Sequence, residues 1–170
     1  MDVKLDYIFS RNRKIGSRAI AWGTMFLEPE VEKIPSHVAV LINDTWVVES
    51  TLENGVRIVP YKAWKRINEE VARIPCWATQ RTLDDVLGIV EELWGLDYDW
   101  AGVTYFGWRV LLFILFKKPM PEENPYDHTN KYFCCEVVGR LTGQNFEITS
   151  PVSLMVKLQK EYTEWLKLQN

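Results

Sequence analysis

Residues 36–60 read Ser-His-Val-Ala-Val-Leu-Ile-Asn-Asp-Thr-Trp-Val-Val-Glu-Ser-Thr-Leu-Glu-Asn-Gly-Val-Arg-Ile-Val-Pro. Three short runs rich in Val and Ile, namely Val38 to Ile42, Trp46 to Glu49 and Val56 to Val59, are separated by Asn43-Asp44 and by Asn54-Gly55. Branched side chains favour extended backbone, and Asn, Asp and Gly tolerate the left-handed conformations that tight turns require. The stretch therefore predicts consecutive antiparallel strands, with Val71 to Trp77 as a fourth. Downstream the pattern turns helical. Thr82-Leu83-Asp84-Asp85 resembles a capping box and opens an amphipathic helix to about Leu93. A helix is expected from a cap at Asn130 to a left-handed terminator at Gly143, and a last one opens at Thr149-Ser150-Pro151. Upstream, an apolar run from Tyr7 to Phe9 and a basic stretch (Arg11, Arg13, Lys14, Arg18) precede a short helix around Ser17 to Phe26. Strands cluster early and helices late, without strand–helix alternation, so the class is α+β, an antiparallel sheet packed against helices.

The chain of 170 residues has room for one full core, and residues 1–170 are read as a single domain. Hydrophobic residues make up 47% and charged residues 25%, which excludes a disordered or fibrous chain. Lys and Arg number 20 against 23 Asp and Glu, a net charge of −3; nucleic-acid binding, which relies on a basic excess, is not expected. Three cysteines, Cys76, Cys134 and Cys135, make no disulfide framework. The first residues lack the apolar core of a secretory signal, which points to a cytoplasmic home unless the chain is phage-borne or released by lysis. Trp100 to Phe116 is largely apolar, but 17 helical residues reach only about 25 Å, and Gly102, Thr104, Gly107 and Arg109 interrupt the run. It reads as a buried or groove-lining helix, ordinary core being favoured, with peripheral lipid contact as the alternative.

Chemistry is confined by the presence of two histidines, His37 and His128. A cysteine nucleophile that uses an imidazole base must use one of them. Cys134 and Cys135 fall in the first turns of the predicted helix, where amide dipoles favour thiolate. Taken singly, each cysteine reads as a small core residue and His37 as a structural strand residue. Metal binding by Cys134, Cys135 and His128 is disfavoured, because adjacent helical side chains point about 100° apart. Glu49 is the candidate to orient His37. If the first two strands form a hairpin whose paired numbers sum to 86 or 88, Glu49 shares a face with His37. A sum of 87, from a two-residue Asn43-Asp44 turn, sends it to the other face. The triad thus demands an odd-length loop.

Five segments in order, Ser36-His37-Val38-Ala39-Val40, Val47-Val48-Glu49-Ser50-Thr51, Gly55-Val56-Arg57-Ile58-Val59-Pro60, Tyr98-Asp99 and Tyr132-Phe133-Cys134-Cys135-Glu136-Val137-Val138, resemble the circularly permuted papain-like branch of the NlpC superfamily, the YiiX-like branch with phage and poxvirus relatives. The resemblance covers residues 14 to 155. It implies a permuted papain-like fold, Cys134 as nucleophile, His37 as general base, Glu49 as orienting residue, and Tyr98 and Asp99 as substrate-binding. Cys135 stands where the family has serine, which leaves two thiols to distinguish, although the spacing to Glu136 favours Cys134. His128 matches nothing in the pattern and is kept as an alternative base.

The implied reaction is hydrolysis of an amide, in a peptide, through a thioacyl enzyme, with no metal or organic cofactor. A lipid-directed thioesterase or acyltransferase on the same triad is the alternative, which leaves the substrate a peptide or an acyl group. A non-catalytic papain-like binding module is a second class, and redox sensing by the cysteine pair a third.

Overall fold

The computed structural model describes residues 3–12, 15–77, 80–118, 131–146 and 149–169. Five antiparallel strands, β1 (Leu5–Arg11), β2 (His37–Ile42), β3 (Trp46–Thr51), β4 (Gly55–Pro60) and β5 (Glu69–Pro75), form one sheet in the order β4-β3-β2-β1-β5. Six helices accompany it among the described residues: α1 (Ile15–Thr24), α2 (Tyr61–Trp64), α3 (Leu83–Leu93), α4 (Trp100–Phe116), α5 (Cys134–Thr142) and α6 (Pro151–Gln169). The α+β class with an antiparallel sheet is as expected.

Alternation along the strands divides the interior in two. Tyr7, Phe9, Val38, Val40, Ile42, Val48 and Ile74 pack beneath α3, α5 and α6 as the main core. On the other face Ile8, Ala39, Leu41 and Val47 close around Trp64 of α2 in a smaller one. Both faces of β1 and β2 are therefore buried, which explains the unbroken apolar run from Val38 to Ile42 in β2.

β1 was not foreseen as a strand, yet it lies second from the sheet edge and pairs with both β2 and β5. Its apolar run is short because Asp6 and Ser10 sit within it, both buried. Asp6 is held by Lys4 at 3.3 Å and Arg73 at 3.7 Å. The helix expected to begin at Asn130 begins instead at Cys134; Asn130 itself lies outside the described residues, as does His128. Lys131 bridges to Asp97, and the Tyr132 N–H donates to the Asp97 carbonyl at 3.1 Å, which keeps the segment before Cys134 extended. Gly143 ends α5 at φ 73°, as its sequence position predicts. Thr82 and Asp85 form the reciprocal capping box of α3, and the Ser150 hydroxyl accepts from the Ser153 N–H to start α6.

α4 spans Trp100–Phe116 but is not core. Gly102 and Val110 are its buried residues, whereas Trp100, Trp108, Leu111, Leu115 and Phe116 are exposed. No helix among the described residues is long and apolar enough to cross a membrane.

The β4 edge is closed by the turn after α3, where the Val56 N–H donates to Leu96 O and the Gly95 N–H to Val56 O. This close approach depends on Gly55: at φ 59° it sits in the left-handed region, and a Cβ there would lie 2.0 Å from the Leu96 carbonyl oxygen. Gly55→Ala is expected to lower the unfolding free energy by about 2 kcal/mol or more. Gly88→Ala, on an exposed helical position with open space around it, should raise it by about 0.5–1 kcal/mol. Paired urea melts check both signs.

Candidate active site

The β2–β3 register pairs Val40 with Val48 and Ile42 with Trp46, the sum of 88. Residues 43–45 make a three-residue loop, with Asn43 at φ 47° and Asp44 at φ 55°. The odd-length condition is met, and Glu49 lies diagonally from His37 on one face. His37 Nε2 is 2.8 Å from Glu49 Oε2.

Glu49 is 1% exposed and takes further donors on the same carboxylate. Trp64 Nε1–H donates to Oε2 at 2.8 Å, and Arg57 donates to Oε1 from Nε at 2.9 Å and Nη2 at 2.6 Å. Arg57 stands directly opposite Glu49 across the β3–β4 ladder, and Trp64 rises from α2 immediately after β4. Burial alone would favour the neutral acid. Hydrogen bonds from His37, Arg57 and Trp64 overcome it and hold the pKa near about 2. Neither Arg57 nor Trp64 was singled out as a site residue from the sequence. The hairpin arithmetic that found Glu49 extends to Arg57; Trp64, on a four-residue helix, gave no such signal.

Cys134 is the first residue of α5 and comes from the opposite face of the sheet to meet His37 where β2 begins. The His37 ring and the Cys134 side chain lie close enough to act on one another's titration, while the ring's hydrogen bond is to Glu49. Because Nε2 is engaged by Glu49, Nδ1 is the nitrogen left for sulfur. Burial would strip the imidazolium of its proton, but the hydrogen bonds to Cys134 and Glu49 and their charges outweigh it and raise the pKa to about 10. Cys134 is held well below the ordinary thiol range, first by a hydrogen bond from Cys135, and then, against the cost of burial, by His37 and by the Val38 N–H. Cys135 is driven the other way by burial and by the neighbouring thiolate. These directions favour thiolate at Cys134, imidazolium at His37 and a protonated Cys135. The two thiols differ in access: Cys134 lines a cavity, whereas Cys135 is fully buried.

The chain leading to Cys134 is lashed to β3. The Ser50 hydroxyl, one residue beyond Glu49 and on the other face, donates to the Tyr132 carbonyl at 2.6 Å. Adjacent residues of one strand thus hold the His37 ring and the segment leading to Cys134. Glu136 reaches back to accept from the Phe133 N–H at 2.8 Å, which engages that amide just ahead of the first turn of α5.

Two hollows meet here. A cavity of about 280 Å³ lies between α1 and α4, lined by Ile20, Val103, Phe106, Val110, Phe133 and Cys134 among others, and its walls are almost wholly apolar. A wider cleft of about 1170 Å³ has a mixed lining, richer in polar groups than the cavity, that includes His37, Glu49, Arg11, Arg18, Arg57 and Arg66. Ile20, Ser36 and Tyr98 belong to both linings. Of the two expected substrate contacts, Tyr98 stands at this junction. Asp99 is fully buried instead, capping α4 through the Gly102 N–H at 2.9 Å, and is absent from both linings. No group of His, Cys, Asp and Glu among the described residues is arranged to hold a metal ion.

Linkage fixes the signs with pH. The contribution of His37, whose pKa is raised from about 6.5 to about 10, is present in full below the lower value and is lost as pH rises through the upper. Glu49, lowered from 4.5 to about 2, contributes above the first value and loses that contribution as pH falls through the second. Glu49→Gln is expected to cost about 3–5 kcal/mol in urea melts near neutral pH, since it leaves Arg57 and the imidazolium without their charge partner. In an NMR titration of the His37 ring the same variant should lower the midpoint. Comparison of the chain with protein-family models, with characterised proteins and with solved structures finds no match, so the resemblance drawn from the five segments rests on these residues alone.

Proposed function

We propose that the protein is a cysteine hydrolase working through a thioacyl enzyme, with Cys134 as nucleophile, His37 as acid and base, and Glu49 as the residue that orients and charges the ring. The observation that carries this reading is the thiol–imidazole–carboxylate line Cys134–His37–Glu49, with Glu49 fixed by two further donors. The permuted papain-like architecture belongs to the same proposal: histidine precedes cysteine along the chain, and the cysteine opens a helix packed on the histidine strand.

The Cys134 sulfur attacks a carbonyl carbon, forming a C–S bond while the carbonyl oxygen takes up negative charge. The first-turn amides of α5 face that charge, a type of interaction worth about 3–4 kcal/mol per donor. As the tetrahedral intermediate collapses, the bond to the leaving group breaks and the His37 imidazolium supplies its proton. Water then attacks the thioester, His37 takes the water proton, and a carboxylic acid departs as the thiolate–imidazolium pair is restored. Glu49 stays ionised throughout, a positioning residue with no proton to transfer.

The two hollows sort the substrate. The apolar cavity at the sulfur suits the acyl side of the scissile bond, and the more polar cleft at His37 suits the leaving group that takes the proton. An amide in a peptide satisfies the chemistry, but the apolar walls at Cys134 favour the second reading, a lipid-directed thioesterase or acyltransferase in which the acyl group is a hydrocarbon chain.

Alkylation with an iodoacetamide probe from about pH 5 to pH 9 separates an enzyme from a non-catalytic binding module. Rapid labelling of Cys134 at about pH 6 is expected, abolished in Cys134→Ser and slowed about tenfold or more in His37→Ala. Slow labelling that rises only near about pH 8.5, indifferent to His37→Ala, contradicts the hydrolase and favours the binding module. Mass spectrometry of the adduct trapped on Cys134 identifies the acyl group.

A further inference from the structure

α4 is apolar all round, a pattern expected of a helix enclosed on every side, yet it is enclosed on one. Gly102, Val103, Phe106 and Val110 turn inward to line the cavity at Cys134. Trp100, Thr104, Trp108, Leu111 and Leu115 follow at the i, i+4, i+8, i+11, i+15 spacing of one helical stripe, and all are exposed. That stripe runs for about 22 Å. α1, packed beside α4, exposes Trp22, and Phe26 follows just beyond its end; the two rings meet edge to face at 5.8 Å. An exposed apolar surface of this extent marks a docking site.

Charge identifies the occupant. The protein carries −3 overall, yet α1, α4 and the two lysines that close α4 include Arg18, Arg109, Lys117 and Lys118 and no acidic residue. Lys117 and Lys118 are exposed at the end of the stripe, beside Phe116. Tryptophan, large aliphatic residues and terminal lysines are the composition that lies in the headgroup layer of an anionic bilayer. A second copy fits poorly, because a twofold contact across this face would bring like charges together. The 17 residues of α4 are too few to cross the hydrocarbon core, so the helix lies along the surface.

We infer that the outer face of α1 and α4 docks on an anionic lipid surface and sets the apolar cavity at Cys134 against it, so that the acyl group comes from a membrane-resident lipid. The docking stands on the exposed face alone; the delivery of substrate rests on the hydrolase reading above.

Co-sedimentation of the full chain with vesicles tests it, comparing phosphatidylcholine alone with phosphatidylcholine containing about 30% phosphatidylglycerol. The wild-type protein should pellet with the anionic vesicles. The double variant Leu111→Glu/Leu115→Glu, with its fold checked by circular dichroism, should lose about tenfold or more in partitioning. Lys117→Glu/Lys118→Glu should lose the preference for anionic vesicles, and Cys134→Ser should bind as the wild type does. Absence of wild-type binding, or binding indifferent to the leucine variant, overturns the inference. So does a lipid-free dimer, seen by analytical ultracentrifugation, that the leucine variant dissociates while vesicles go unbound. Vesicle binding alongside a Cys134 that fails to alkylate at about pH 6 upholds the docking face and removes the hydrolase instead.

Discussion

One buried carboxylate governs the arrangement at the mouth of the sheet. Glu49 is sealed from water with His37, Trp64 and Arg57 donating to its two oxygens. A lone carboxylate at that depth would take up a proton. With these donors it remains an anion, and its charge keeps a proton on His37 that burial would otherwise remove. The imidazolium in turn lowers the Cys134 thiol. Charge at the Cys134 sulfur thus depends first on the Cys135 thiol beside it and then, through His37, on hydrogen bonds made on the far face of the sheet.

The fold supplies this relay through strand alternation. β3 sends Glu49 toward the small core around Trp64 and Ser50 toward α5, where the Ser50 hydroxyl holds the Tyr132 carbonyl two residues before the nucleophile. His37 and the approach to Cys134 are therefore registered to one strand even though 97 positions separate the two residues in the chain. Opposite the sulfur, α4 works on two faces, closing the apolar cavity with one and leaving a tryptophan-bearing stripe exposed with the other. In the proposed reading the inner face takes an apolar acyl group and the outer face meets the lipid layer that supplies it.

Hairpin parity was legible in the sequence because it depends on loop length and the period of two alone. It stated in advance that Glu49 would face His37 only across an odd-length loop, and residues 43–45 make one of three. Caps and terminators such as Thr82 and Gly143 were legible for a similarly local reason. What escaped required tertiary information. β1 is disguised by the buried polar residues Asp6 and Ser10. The start of α5 is delayed because Lys131 and Tyr132 pair with Asp97, far away in the chain. α4 looks like core by composition, and only its neighbours reveal that one side faces solvent. Cys135 was separated from Cys134 by the spacing to Glu136, but its effect on the neighbouring sulfur depends on burial that the pattern alone does not carry.

The central claim is that Cys134 rests as a thiolate paired with a charged His37. Ultraviolet absorbance near about 240 nm, where thiolate absorbs and thiol does not, reads this directly as the difference between the wild type and Cys134→Ser through a titration from about pH 4 to pH 10. The account predicts that the thiolate signal is already present at about pH 6 and survives until acid unfolds the chain. A difference signal that emerges only near about pH 8.5, as for an ordinary cysteine, contradicts it.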